Sequence, residues 1–164
     1  MSKLLAIAIV ALLTSSGAHA APPCDALRPQ VRKLLGLYAQ KDVEGVLGLL
    51  DSREVLVLGS DVKEVSTTSA EVAAMLHDDY MLWQSANFGE PNFLNCRTAA
   101  GLASAAFDVP FAMRLAGGQA TTVTVRFMTV WRRDSRGTWR LTQSMNSTPS
   151  VGGSAREINN RNAK

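Results

Sequence analysis

An aspartate in the middle of an apolar helical stripe is the placement in this sequence that most invites chemistry. At about 100° per residue, Val72, Leu76, Asp79 and Trp83 fall within roughly 60° of one another, with Met75, Tyr80 and Leu82 at the flanks. A carboxylate so placed must find a partner or give up its charge, because apolar surroundings disfavour the ionised form. Two chemistries follow. In the first, Asp79 is a general acid or base with a raised pKa, and Arg126 or Tyr38 stabilises developing oxyanion charge. In the second, Asp79 and Arg126 form an interior ion pair, bonded also to Gln143 and a tyrosine hydroxyl, which is costly to break from one side. The ion pair is the preferred reading. A pocket that turns the same arginine to an anionic ligand comes next, ahead of proton transfer. The expected ligand contacts are Tyr38, Tyr80, Trp83, Arg126, Met128, Gln143 and Met145, although Trp83 and the two methionines would serve equally as plain core.

Other chemistries lack their residues. His19 and His77 are the two histidines and Cys24 and Cys96 the two cysteines, which makes no metal-ligand cluster, and nothing calls for a cofactor. Ser144 and Ser147 have no histidine to activate them except His77, which lies off the apolar stripe of its helix, so a serine triad is not expected. Gly117-Gly118 is a turn and not a phosphate cradle, because no helix follows it. Seventeen basic and fourteen acidic residues are interspersed, for a net charge of +3. Nucleic acid would want a concentrated basic face instead.

The N-terminus reads as an export signal: Lys3, then an apolar run of about ten from Leu4 to Leu13, too short to span a membrane. Ala18-His19-Ala20 predicts cleavage before Ala21. A lipoprotein signal centred on Cys24 is ruled out by Pro22-Pro23 before it. The expected organisation is therefore a signal peptide over residues 1–20, one domain over 21–148 and a disordered tail over 149–164. The protein would be periplasmic or extracellular, with no membrane contact once cleaved. Loss of Lys3 with the signal takes the net charge to +2. In an oxidising compartment Cys24 and Cys96 are expected to form a disulfide, two separate thiols being the alternative.

These residues need elements to hold them. Leu27, Val31, Leu34, Leu35 and Tyr38 recur at helical spacing over Asp25–Gln40. A short helix follows the N-cap Asp42, and Val55–Leu58 is a short strand. Thr68 and Glu71 form a capping box for a third helix running to about Ser85. Strands are expected over Phe93–Ala99, Leu102–Leu115, Ala120–Arg132 and Thr138–Ser147, with Gly117-Gly118 and Asp134–Gly137 as hairpin turns. Helices first and antiparallel strands afterwards is an α+β order, with a curved sheet wrapped around three N-terminal helices. In the last strand Trp139, Leu141, Gln143, Met145 and Ser147 share the face expected to be buried. Phe127 and Trp131, with Phe107 or Phe111, would then form an outer aromatic surface suited to a homodimer.

The strand Arg126-Phe127-Met128-Thr129-Val130-Trp131-Arg132 and the ending Trp139-Arg140-Leu141-Thr142-Gln143-Ser144-Met145-Asn146-Ser147 resemble the SnoaL-like branch of the nuclear transport factor 2-like (NTF2-like) superfamily. The opening from Leu34 to Asp51 is similar to that family's start, and the resemblance covers residues 27–148. It implies a cone: a strongly bent sheet closed by helices over an apolar pocket. Members include steroid isomerases, polyketide cyclases, dehydratases and domains that bind or assemble, often as dimers through the sheet. Many relatives carry histidines on the inward face of the last strand, where Gln143 and Met145 stand here. Histidine acid/base chemistry is thus unsupported. The expected function is binding of a small, partly apolar molecule or dimeric assembly. The alternative is an isomerase, cyclase or dehydratase that uses Asp79.

Overall fold

A computed structural model describes residues 23–148, so the expected signal peptide and tail lie outside the described residues. Three helices, α1 (Pro23–Ala39), α2 (Val43–Leu47) and α3 (Ser69–Met81), are interleaved with two short strands, β1 (Leu56–Leu58) and β2 (Val65–Ser66). Five strands complete the chain: β3 (Trp83–Phe88), β4 (Asn92–Ala99), β5 (Leu102–Leu115), β6 (Ala120–Arg133) and β7 (Trp139–Ser147). The sheet order is β2-β1-β7-β6-β5-β3, with β4 also paired to β5. Every pairing is antiparallel except β1 with β7. This is the expected α+β cone, a curved sheet that does not close on itself.

Local chemistry accounts for the ends of several elements. Thr68 accepts from the Glu71 N–H at 3.2 Å, and the Glu71 carboxylate reaches back to the Thr68 N–H at 3.0 Å. Between β6 and β7 the Asp134 carboxylate accepts from the Arg136 and Thr138 N–H groups, both at 2.9 Å, and Gly137 takes the left-handed backbone at φ 81°.

The third helix stops sooner than its pattern suggests. It ends at Met81, and residues 83–88 form a strand with Trp83 and Phe88 turned inward. The cause is tertiary: β5 is long enough to hold β4 against Leu102–Asp108 and β3 against Phe111–Leu115 on the same edge. Pro110 sits at the junction. Its carbonyl accepts from the Gly89 N–H at 2.9 Å, so its missing N–H also faces that gap and costs no bond to β6.

Leu27, Val31, Leu34 and Leu35 pack α1 against the inner face of the sheet, where Phe107, Val109 and Trp131 have no exposed surface. Cys24 and Cys96 are joined, tying the start of α1 to β4 across 72 residues. Closing a loop of that length contributes roughly 4 kcal/mol by chain entropy.

One extra residue in β7 decides which side chains face the cone. Val130 pairs with Gln143 but Trp131 pairs with Leu141, so Thr142 is a bulge. It is 2 % exposed, and its hydroxyl donates to the Val130 carbonyl at 3.1 Å. Strict alternation would place Leu141, Gln143 and Met145 together. The bulge instead keeps Leu141 inward, brings Ser144 and Asn146 in beside it, and turns Gln143 and Met145 outward. On β6 the inward set is Val123, Val125, Phe127, Thr129 and Trp131, and the outward set includes Arg126 and Met128. The expected aromatic outer surface is therefore not there. Phe127 and Trp131 belong to the interior, as do Phe107 and Phe111.

Candidate functional site

The cone encloses a cavity of about 640 Å³. Leu34, Leu35 and Tyr38 of α1 form one wall, and Val72, Leu76 and Asp79 of α3 form another. The sheet supplies Trp83, Phe88, Phe111, Val125, Phe127 and Leu141. Polar groups are few: Ser144, Asn146 and Thr148 along β7 and its end, and Ser60 and Glu64 on the β1–β2 loop. Met81 and Leu82, 78 % and 61 % exposed, stand at the rim.

Asp79 is the polar centre of this wall. The Tyr38 hydroxyl donates to its Oδ2 at 2.7 Å, a bond spanning α1 and α3. Burial pushes the Asp79 carboxyl above the usual carboxylate range; the Tyr38 bond opposes this, and the charges of Glu64 and Asp78 add to the rise. Burial and then the neighbouring Asp79 drive the Tyr38 phenol well above its ordinary value, so it remains a donor. Tyr80 is pushed up to about 12, first by burial and then by Asp79 and Asp42.

An aromatic cluster surrounds the pair. Tyr38 lies 5.3 Å from Tyr80 and 5.4 Å from Trp83, and Trp83 meets Phe111 edge-on at 5.6 Å. Phe88 stacks on Phe111 at 4.4 Å. The Tyr80 hydroxyl and the Trp83 ring N–H are buried without a hydrogen-bond partner among the described residues. Lys41 braces the cluster, donating to the Tyr80 and Trp83 carbonyls at 2.7 and 2.6 Å at the end of α3. It holds a left-handed backbone at φ 59°, where glycine is usual, because it both turns the chain after α1 and caps α3.

Asp79, Tyr38 and Trp83 thus meet at the cavity, and Tyr80 packs against Tyr38 and Trp83 without lining it. The other four expected contacts are elsewhere. Arg126 is on the outer face, in a two-bond pair with Asp108 at 2.7 and 2.9 Å, so the Asp79–Arg126 ion pair does not exist. Gln143 and Met145 face outward because the Thr142 bulge reverses the alternation of β7 beyond Leu141, and Met128 because it lies on the face of β6 opposite Phe127 and Thr129. The methionines Met128 and Met145 are 52 % and 44 % exposed. Ser144 and Asn146 take the inward places on β7.

Sequence reasoning missed Glu64, Phe88, Phe111, Phe127 and Asn146 as lining residues. The run Val123, Val125, Phe127 carried a usable signal, a period of two that continues into Trp131. It also missed the buried pair at the other end of the sheet. Asp51, 5 % exposed, accepts from Arg132 Nε at 3.0 Å and from the Arg53 N–H at 2.8 Å. Arg132 holds the Asp51 carboxyl down to about 2.

Among the described residues no group of histidine, cysteine, aspartate and glutamate could hold a metal ion, and no helix is long and apolar enough to cross a membrane.

No family model and no curated protein sequence matches this chain significantly. Solved structures do match in fold. An NTF2-like superfamily protein from Salmonella enterica superposes with a TM-score of 0.65 at 15% identity, over 80% of this chain and 94% of that one. A candidate calcium/calmodulin-dependent protein kinase II association domain from Xanthomonas campestris gives 0.68 at 16%, over 80% and 94%. A candidate dehydratase of the NTF2-like family from Streptomyces avermitilis gives 0.65 at 14%, over 79% and 100%. The chain has the NTF2-like fold, and at such identities the likeness is one of fold alone.

Proposed function

We propose that this chain is a SnoaL-like binding module that holds a small, largely apolar molecule in its cone, with Asp79 and Tyr38 as the polar anchor. The observation that carries this reading is the Asp79–Tyr38 bond on the wall of a mostly apolar cavity of about 640 Å³. That volume suits a compact organic ligand, and a few polar groups on an apolar lining are the usual means of orienting one. Saturable binding of Nile red is the test. Wild type should bind one equivalent, and Ser144→Phe, which puts a ring into the cavity, should lose binding while still folding. Equal binding by the filled variant would contradict the reading.

A second reading is supported by the state of Asp79. A carboxyl with raised proton affinity, bonded to a tyrosine and not to a cation, suits proton transfer in an isomerase, cyclase or dehydratase. The fold neighbour named as a candidate dehydratase is compatible with it. Asp79→Asn separates the two: a binder loses affinity as its anchor is weakened, whereas an enzyme loses turnover by far more than it loses binding.

Export and self-association belong to the same proposal. The Cys24–Cys96 bond fits an oxidising compartment. The dimer face shifts to the true outer surface of the sheet, where Leu58, Met145, Met128 and Ala106 stand in register across four strands. Met128→Glu should convert a dimer to a monomer in sedimentation; a monomeric wild type at micromolar concentration would refute the dimer.

A further inference from the structure

Resting on the binding reading above, we infer that the ligand carries a positive charge: an amine or quaternary ammonium group on an apolar body, seated between Asp79 and the aromatic wall. The first support is the sign of the lining. Among the described residues the charged side chains that line the cavity are Asp79 and Glu64, both acidic, and no lysine or arginine joins them. An anion would meet two carboxylates and no counter-charge.

The second support is the wall beside Asp79. Tyr38, Trp83, Phe88 and Phe111 line the cavity with centroids 4.4 to 6.3 Å apart, in two edge-to-face, two tilted and one stacked contact. Aromatic faces carry the negative part of the ring quadrupole and attract a desolvated cation. Trp83 already does so for Lys41, whose ammonium lies 5.7 Å from its centroid. That ammonium is held by the Tyr80 and Trp83 carbonyls and is not part of the lining, so it leaves Asp79 uncompensated.

The third support is the unused capacity of the acids. Tyr38 occupies Asp79 Oδ2, and no described residue bonds to Oδ1. Glu64 spends Oε2 on the Asp61 N–H at 3.0 Å, which fixes its loop at the mouth. Glu64 and Asp78 both oppose ionisation of Asp79, so an entering cation relieves a field that nothing in the cavity wall balances. The site is therefore selective by charge as well as by shape. A neutral molecule of the same outline forgoes the ion pair, and a carboxylate is repelled.

Three probes with one naphthalene body distinguish the possibilities at neutral pH: 1-naphthylmethylamine, 1-naphthalenemethanol and 1-naphthoate, each titrated by calorimetry into the mature chain. The expected result is amine binding at least tenfold tighter than the alcohol, with naphthoate weakest. Asp79→Asn should bring the amine to within threefold of the alcohol, so that the preference for the charged probe is lost. Glu64→Gln, a rim change that keeps the interior intact, should give a smaller loss of the same preference and stands in should the Asp79 variant fail to fold. If wild type binds the alcohol or naphthoate as tightly as the amine, the charge inference is overturned and the binding reading survives. If none of the three binds, both fall.

Discussion

Two aspartates of the same cone differ in what stands beside them. Asp51 follows α2, where its N–H donates to the Leu141 carbonyl of β7, and has Arg132 against it at 3.0 Å. Asp79 faces the cavity and has a tyrosine at 2.7 Å but no cation. Arg132 takes the first carboxyl down to about 2, whereas burial takes the second up. A charge placed to hold the fold is matched within the chain. Asp79 is a charge left unmatched beside an open volume, and such a charge is available to something from outside.

The largest effect should come from the matched pair. Asp51→Asn takes the nearer carboxylate from Arg132 and leaves it Glu54 at 3.7 Å, and urea denaturation should show the largest loss of the set, about 2 kcal/mol once solvent screening is allowed for. A change below about 1 kcal/mol would mean that Asp51 does not tie the segment after α2 to the sheet.

Acid should then separate the two aspartates by sign. Asp51 has its folded pKa below the unfolded value of 3.8, so its contribution is complete above that value and is lost as pH falls towards about 2. Asp79 has its folded pKa above the unfolded value, so it favours folding most when protonated and weakens the fold as pH rises through that interval. Compared with wild type between pH 2 and 7, Asp51→Asn should lose the acid-sensitive component. Asp79→Asn should be as stable as wild type or slightly more stable above the transition. A large loss of stability in Asp79→Asn would mean that a partner for its charge exists within the protein.

Smaller effects test the strand that divides inside from outside. Thr142→Ala removes the hydroxyl bond to Val130 and should cost about 1 kcal/mol. Arg126→Ala breaks an exposed pair and should leave both the denaturation midpoint and binding in the cavity nearly unchanged. Were Arg126→Ala to abolish binding, the assignment of faces would be wrong.

How much could be read in advance follows from the range of each interaction. The capping box of α3, the two hairpin turns and the stripe of α1 are specified by residues within a few positions of one another, and the structure has them. The cavity wall on α1 and α3, with Tyr38, Asp79 and Trp83, was legible for the same reason. The wall on β7 was not. Alternation assigns faces only while the register is regular, and nothing in Leu141-Thr142-Gln143 announces that Thr142 is the extra residue. That one bulge moved Gln143 and Met145 out of the site. The pairing of charges failed for a related reason. Asp79 and Arg126 were matched because each was conspicuous, but Arg126 faces Asp108 across the β5–β6 pair. Asp51 resembled an ordinary acid after a short helix, and its partner lies 81 residues away. The end of α3 was overestimated because β5 claims Trp83–Phe88 for its edge, a competition that no helical pattern can show.

The central claim is that Asp79 faces the cavity with no cation of its own, and a site-resolved NMR titration of its carboxyl carbon in the ligand-free protein tests that most directly. The account predicts a midpoint above the ordinary carboxylate value of 3.8, moving downward when an amine enters the cavity. A midpoint at or below 3.8 in the free protein, or one that does not move when the amine is added, would contradict it.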